Sequence, residues 1–142
     1  MSENKNSITI QTVVNANIMT VWEKWTTPRD IVKWNNASDD WHTPQATNDL
    51  KAGGKFSFRM EAKDGSMGFD FEGIYQRVMP FELIEYTIAD GRKVKVTFIA
   101  SGDNTRVSET FDAENENSEE MQKAGWQSIL DNFKHYVESG NW

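Results

Sequence analysis

Residues 34–44, with the sequence WNNASDDWHTP, bring several chemically active side chains into one short stretch. They include His42, one of two histidines in the chain, and the carboxylates of Asp39 and Asp40. A catalytic metal usually needs three His, Asp or Glu side chains that converge on one ion, and adjacent loop residues seldom do so. We therefore predict neither a metal nor a cofactor. Two interpretations stay open: the polar rim of a binding cavity, and a solvated loop whose tryptophans pack into the core.

Nucleophilic and phosphate chemistry have no motif in this sequence. The chain has no cysteine and no G-x-S-x-G motif, which are common settings of a catalytic nucleophile. The pair at 53–54, Gly-Gly, is followed directly by strand-like residues, so it does not resemble a phosphate-binding loop. No catalytic residue set is predicted from these motifs.

General acid–base chemistry needs only one carboxylate or imidazole with a shifted pKa in a dry pocket. Glu109 is the candidate carboxylate. It shares strand parity with Val107 and Phe111, so it faces the apolar side, where burial raises a carboxyl pKa. The alternative is a register break or a position at the end of the sheet that reaches water.

Gln122 is a second polar residue predicted on an apolar face, since helical spacing places its amide beside Trp126. The alternative for Gln122 is exposure at the end of the helix.

The first elements of the chain can be predicted from periodicity. Residues 7–15 alternate between apolar and polar side chains, which predicts a half-buried strand. Asn17 is a plausible N-cap for the apolar, helically spaced residues that follow it. Pro28 then opens a second short helix. A strand followed by two short helices therefore precedes the stretch at 34–44.

From Gly53 onward the sequence alternates between apolar and polar residues, in runs separated by turn sequences. The dipeptides at 64–65 and 90–91 are both Asp-Gly, which favours tight turns because glycine adopts positive φ without steric cost. The pattern predicts about six antiparallel strands joined as a meander. At Gly73 a bulge would shift the alternation, and which of the following residues faces inward stays open.

The last element is a long amphipathic helix. Ser118 is a good N-cap, and Gly140 is placed to end the helix. One face carries the apolar side chains Trp126, Ile129, Leu130, Phe133, Tyr136 and Val137. A sheet with one apolar face needs a cover, and this helix is the long apolar one available. The fold class predicted is therefore α+β, a curved antiparallel sheet wrapped round a C-terminal helix.

Charge narrows the classes of partner. The formal net charge is −7, which disfavours nucleic acid and anionic membranes because both are polyanions. The N-terminal residues MSENKNS contain no apolar signal region, and no segment has the ~18 consecutive apolar residues of a membrane span. We predict a cytoplasmic protein without membrane insertion.

Four segments match the motifs of a known family in the same order. They are TVWEKWTTPRDIVKW at 20–34, GGKFSFRM at 53–60, FEGIYQRVMPFELIEYT at 71–87 and GWQSILDNFKHYVE at 125–138. Together they resemble the domain related to the activator of heat-shock protein 90 ATPase, in the START-like or SRPBCC superfamily, which also contains the birch pollen allergen. The resemblance covers nearly the whole chain and implies a single START-like domain over residues 1–142.

The resemblance implies a helix-grip fold, in which a sheet of about seven strands grips the C-terminal helix and encloses a cavity beneath it. In that fold the stretch after the two short helices runs to the cavity entrance and into the second strand, which would place Trp34, Trp41 and His42 near the rim. The residues predicted to contact a ligand are Trp34, Trp41, His42, Phe58, Met60, Phe71, Glu109, Gln122 and Trp126.

The superfamily includes ligand carriers, co-chaperone domains and cyclase-like enzymes, so the resemblance does not select one activity. We predict non-catalytic binding of a small, largely apolar or amphipathic ligand between the sheet and the helix. One alternative is a protein-interaction domain whose partner is a chaperone. The other is a cyclase- or hydrolase-like enzyme that uses Glu109 or His42 as acid or base.

Overall fold

The computed structural model describes residues 6–142, so the polar residues 1–5 and the prediction made on them lie outside the described part. The elements in chain order are β1 (Ser7–Val14), α1 (Ile18–Thr26), α2 (Pro28–Trp34), β2 (Trp41–Asn48), β3 (Lys55–Ala62), β4 (Gly68–Met79), β5 (Leu83–Ile88), β6 (Lys93–Ser101), β7 (Asn104–Asp112) and α3 (Glu119–Ser139). Among the helices of residues 6–142, none combines the length and the apolar character needed to cross a membrane.

The seven strands form one antiparallel sheet in the order β1-β7-β6-β5-β4-β3-β2. From β2 to β7, each strand pairs with the next strand of the chain, which confirms the predicted meander. β1 pairs with β7, so β1 and β2 are the two edges. The sheet curls around α3, and the predicted α+β helix-grip class is confirmed.

β2 is a strand that the residue pattern did not predict. The interpretation of 34–44 as a loop is wrong from Trp41 onward, where β2 begins. β2 is an edge strand that pairs with β3, and its register shifts between His42 and Gln45. Pro44 lies in that irregularity, where a strand tolerates a residue without an N–H group. An edge strand with a bulge does not need strict apolar alternation, so no strand pattern was visible in this segment.

α3 begins and ends where its capping residues predict. Ser118 Oγ accepts a hydrogen bond from the backbone N–H of Met121 at 3.1 Å, and Gly140 ends the helix with a φ of 70°. The helix packs mainly on β1, while α1 and α2 contact it near one end and α2 also lies on β2. The helix therefore covers the β1 side of the sheet most closely.

A buried ion pair joins the three helices. Lys24 Nζ of α1 lies 3.6 Å from Asp30 Oδ1 of α2, and both side chains are buried. The Tyr136 hydroxyl of α3 donates to the same oxygen at 2.5 Å. Charged side chains buried in a low-dielectric interior need such partners. These three side chains hold α1 and α2 against the end of α3.

β4 passes closest to its neighbours at Gly73, which pairs with Phe56 of β3. A Cβ atom at this position would lie 2.5 Å from the backbone oxygen of Thr87 and 2.9 Å from the Phe56 ring. The pairing with β3 runs through Gly73 without a break, and the register shifts between Tyr75 and Arg77 against β5, so the bulge lies beyond the predicted position. Tyr75 is buried, Val78 is half-buried against the core and Ile74 is exposed, which settles the alternative that the sequence left open.

We expect Gly73→Ala to lower the free energy of unfolding by roughly 1–3 kcal/mol, because the added methyl overpacks against backbone and ring atoms. Gly125→Ala in α3 is the matched control. A Cβ there meets nothing within 4 Å, and alanine favours helix by roughly 0.5–1 kcal/mol. Urea unfolding of both variants measures the two changes. Equal stability of Gly73→Ala and the native chain would contradict the close approach of β3, β4 and β5.

Candidate functional site

A cavity of about 240 Å³ lies between the inner face of the sheet and α3. It is enclosed by residues from α1, α2, α3 and strands β3, β4, β5 and β7, together with one residue from the turn before β6. The residues that line it are Trp25, Thr26, Trp34, Asn35, Phe56, Phe58, Met60, Phe69, Phe71, Tyr75, Ile84, Tyr86, Arg92, Glu109, Trp126 and Ile129.

Aromatic rings form most of the wall, and Trp126 spans from the helix to the sheet. Its ring stacks on Phe111 of β7, with centroids 3.9 Å apart and planes inclined by 10°. The edge of the same ring system meets Phe71 of β4, with centroids 6.1 Å apart. Phe71 in turn lies near Phe56 and Phe58. Stacked and edge-on pairs of this kind stabilise by about 0.5–1.5 kcal/mol beyond their buried area, so the wall is ordered.

The tryptophans of α1 and α2 close one end of the cavity. Trp25 and Trp34 lie 5.0 Å apart, and both rings meet Phe133 of α3 edge-on. The Trp34 indole N–H donates to the backbone oxygen of Lys24 at 3.0 Å, so the buried ring has its polar atom satisfied. Because Lys24 is held by the ion pair between the helices, the closed end is fixed in place.

The opposite end lies at the β3–β4 hairpin. Phe69 lines the cavity and is 48% exposed, so a ring of the wall reaches solvent there. Met60 pairs with Phe69 across the two strands. Trp41 of β2 packs against Phe69, with centroids 6.1 Å apart. A half-exposed aromatic beside a flexible methionine forms the entrance side of the cavity.

Glu109 is the carboxyl group of the wall. Strand parity places it on the inner face of β7, opposite Ile10 of β1 and Val96 of β6. The side chain is 6% exposed. Burial raises its pKa to about 8, and no hydrogen bond or charge within residues 6–142 acts against that rise. The carboxyl group therefore stays protonated at neutral pH and has no partner in the described part of the chain.

Three other polar side chains of the wall differ in how they are satisfied. The Tyr75 hydroxyl donates to Asn48 Oδ1 at 2.5 Å. Arg92 Nε lies 2.8 Å from Asp90 Oδ2, and so Arg92 is paired. The Tyr86 hydroxyl has no hydrogen-bond partner within residues 6–142, and burial followed by the Glu109 charge raises its pKa. Glu109 and Tyr86 are thus the two unpartnered groups of this set.

The structure brings six of the predicted ligand contacts together on the cavity wall. They are Trp34, Phe58, Met60, Phe71, Glu109 and Trp126. Trp41 does not line the cavity but packs on Phe69, which does. The proposal that these side chains contact a ligand remains a prediction.

His42 and Gln122 lie away from the wall. His42 Nε2 is 3.7 Å from Glu61 Oε1 on β3, and its side chain is half-exposed.

Gln122 is buried but binds the loop before α3. Its amide N–H donates to the backbone oxygen of Asn117 at 2.8 Å, and its amide oxygen accepts from the N–H of Glu114 at 2.8 Å. Gln122 is therefore buried, as its helical angle predicted, and its amide fastens the start of α3 rather than lining the cavity. Within residues 6–142 no three His, Asp or Glu side chains are grouped to hold a metal ion.

Sequence reasoning missed several residues of the wall. Tyr86 shares strand parity with the buried Ile84 and Ile88, so alternation could have found it. Trp25 lies among the helically spaced apolar residues that follow Asn17, and helical spacing does not show that a ring closes a cavity. Arg92 precedes β6, where strand parity does not apply, so periodicity could not place it.

The fold defines the class of this protein. It is a helix-grip protein, in which an antiparallel sheet curls around a C-terminal helix. The family described as "Activator of Hsp90 ATPase homolog 1-like protein" matches residues 15–138. The chain belongs to this family, as the four sequence motifs had indicated. Comparison with curated proteins finds no match.

Solved structures of similar proteins show the same fold. The AHSA1-like protein from Aeromonas hydrophila is 46% identical, with a TM-score of 0.89 over 94% of this chain and 93% of its own. Chr148 from Cytophaga hutchinsonii is 52% identical, with a TM-score of 0.82 over 96% of this chain and 94% of its own. Protein NE0264 from Nitrosomonas europaea, at 16% identity, shares the fold with a TM-score of 0.83 over 98% of both chains.

We expect Glu109→Gln to stabilise the protein more at pH 8 than at pH 5. The unfolded chain releases the Glu109 proton near pH 4.5, whereas the folded chain holds it until about pH 8. The free energy of unfolding of the native chain therefore falls across this window, and glutamine removes that fall. The difference between variant and native chain should grow by roughly 2–4 kcal/mol from pH 5 to pH 8.

Urea unfolding across the pH range measures this change. Glu72→Gln is the control, because Glu72 is an exposed residue of β4 and the same substitution there removes a carboxyl group that is not buried. A stability difference for Glu109→Gln that stays constant from pH 5 to pH 8 would show that the carboxyl group is ionised in the folded protein.

Proposed function

We propose that this chain binds a small, largely apolar molecule with one polar end in the cavity between the sheet and α3, without converting it chemically. The observation that carries the proposal is an aromatic cavity of about 240 Å³ whose wall includes one unpartnered carboxyl group, Glu109. Binding sites are typically apolar recesses with few polar groups that orient the ligand. We further propose that residues 1–142 act as one START-like domain in the cytoplasm.

The cavity volume sets the size of the ligand. An apolar cavity of about 150 Å³ is large enough to hold benzene. The cavity described above is more than half as large again, so a bicyclic aromatic molecule or a short amphipathic chain fits it better than a sterol or a long lipid. The half-exposed Phe69 and the neighbouring Met60 form the side by which such a molecule enters.

A protein-interaction role is the second candidate. It is favoured by the family description, which names homologues of an activator of the Hsp90 ATPase. The negative net charge would then contribute to docking on a basic surface of a chaperone. Such an association should weaken as salt screens the charges. Uptake of an uncharged probe such as 2-naphthylmethanol by the cavity should be nearly independent of salt, so a salt series with that probe separates the two candidates.

We expect 2-naphthylmethanol to raise the melting temperature of the native chain. At a concentration about 100 times the dissociation constant, a ligand stabilises the folded state by about 2.7 kcal/mol. Ile129→Trp should abolish this rise, because Ile129 lines the cavity and the larger ring would occupy it. Ile99→Trp, at an exposed site outside the wall, should keep the rise.

Differential scanning fluorimetry measures the shifts, and native mass spectrometry of freshly purified protein detects a co-purified molecule directly. A shift of equal size in Ile129→Trp and the native chain would place the binding outside the cavity. Absence of any adduct and of any shift would leave the binding proposal without support.

A further inference from the structure

The chemical class of the ligand can be inferred from the two polar groups of the wall that lack partners, an inference that rests on the proposed function. Glu109 and Tyr86 are both buried, and neither has a hydrogen-bond partner within residues 6–142. Both side chains line the same cavity. Buried polar groups are normally satisfied, so a cavity with two such groups is suited to a ligand that satisfies both.

The positions of these groups in the sheet direct them into the same space. Glu109 of β7 pairs with Val96 of β6, and Tyr86 of β5 pairs with Val94 of β6. Glu109 and Tyr86 therefore lie two strands apart on the face of the sheet that lines the cavity, with two buried valines between them. The Phe111 ring, next on the inner face of β7, supports Trp126 at the edge of this space.

The basic side chain of the wall is already engaged. Arg92 is the one lysine or arginine that lines the cavity among residues 6–142. Its Nε pairs with Asp90 at 2.8 Å, and its Nη1 lies 3.5 Å from the backbone oxygen of Asp112. A ligand carboxylate would therefore have to compete with Asp90 for Arg92. Without Arg92 its charge would be buried with no cationic partner, which is costly.

A ligand ammonium group has the opposite chemistry. It carries three N–H donors and a positive charge. That charge lowers the pKa of Glu109 from about 8, so the carboxyl group releases its proton to solvent as the amine binds. The resulting carboxylate and the Tyr86 oxygen can then both accept hydrogen bonds from the ammonium group. The faces of surrounding aromatic rings carry partial negative charge and attract cations. The net charge of −7 favours the approach of a cation over that of an anion.

We propose that the cavity binds a small primary amine with an aromatic or alicyclic body, whose ammonium group is held by Glu109 and Tyr86. The apolar body lies against Trp126, Phe71 and Phe58, the rings that line the remaining wall. Burying an ammonium group is costly unless a charged partner compensates for the lost water. Glu109 supplies that partner, and the Tyr86 oxygen accepts a further hydrogen bond.

Isothermal titration calorimetry with three probes of nearly equal shape tests this inference near neutral pH. The probes are 2-naphthylmethylamine, 2-naphthylmethanol and 2-naphthoate, which differ in the charge of the polar end. We expect the amine to bind the native chain at least ~10-fold more tightly than the alcohol, which corresponds to about 1.4 kcal/mol, and the carboxylate to bind most weakly.

Two variants locate the effect. Glu109→Gln should remove the preference for the amine over the alcohol, whereas Glu72→Gln, the same substitution at an exposed site outside the wall, should keep it. Tyr86→Phe should reduce the preference by a smaller factor, because the carboxylate remains. Circular dichroism and thermal melts verify that each variant is folded, and Glu109→Asp retains the carboxylate as a second test should glutamine disturb the sheet.

The outcomes separate this inference from the proposed function. Binding of the alcohol without any preference for the amine would overturn the amine assignment and leave cavity binding supported. An amine preference that survives in folded Glu109→Gln would also overturn it. Failure of all three probes to bind would count against the amine assignment and the cavity proposal together.

Discussion

One helix is too narrow to cover the whole inner face of this sheet. An α-helix with its side chains is about 10–12 Å across, whereas seven strands about 4.8 Å apart span roughly 29 Å. The sheet must therefore curl, and α3 lies closest to the β1 edge. Over β3 and β4 the interior is bordered by rings from the sheet and by Trp126 from the helix. These rigid rings do not fill the interior completely, and the cavity is the volume left between them.

The same arrangement explains why the ends of the cavity differ. Trp25 and Trp34 close one end because Lys24, Asp30 and Tyr136 hold their helices on α3. Burial, together with the hydrogen bond to Asp30, raises the pKa of Tyr136 to about 12, so its hydroxyl stays a donor. Nothing comparable joins the β3–β4 hairpin to the helix within residues 6–142. Glu109 also lines the cavity, where a buried carboxyl group lowers the stability of the fold at neutral pH.

Sequence patterns predicted the parts of this structure that depend on local rules. Parity alone placed Glu109 on the inner face, and capping residues marked both ends of α3. β2 was not predicted, because an edge strand with a bulge does not need alternating apolar and polar residues. Gln122 was judged by its helical angle, but its partners lie in the preceding loop, which periodicity does not describe. The cavity depends on how rings pack across elements distant in sequence, so only the resemblance to a helix-grip family suggested it.

The central claim is that the interior between α3 and the sheet is hollow. A crystal of the protein under xenon pressure tests this directly, because xenon enters apolar voids that water leaves empty. We predict xenon density bounded by Phe71, Tyr86 and Trp126, with those rings in the same positions with and without the gas. Rings that close the space, with no xenon in the interior, would contradict the claim.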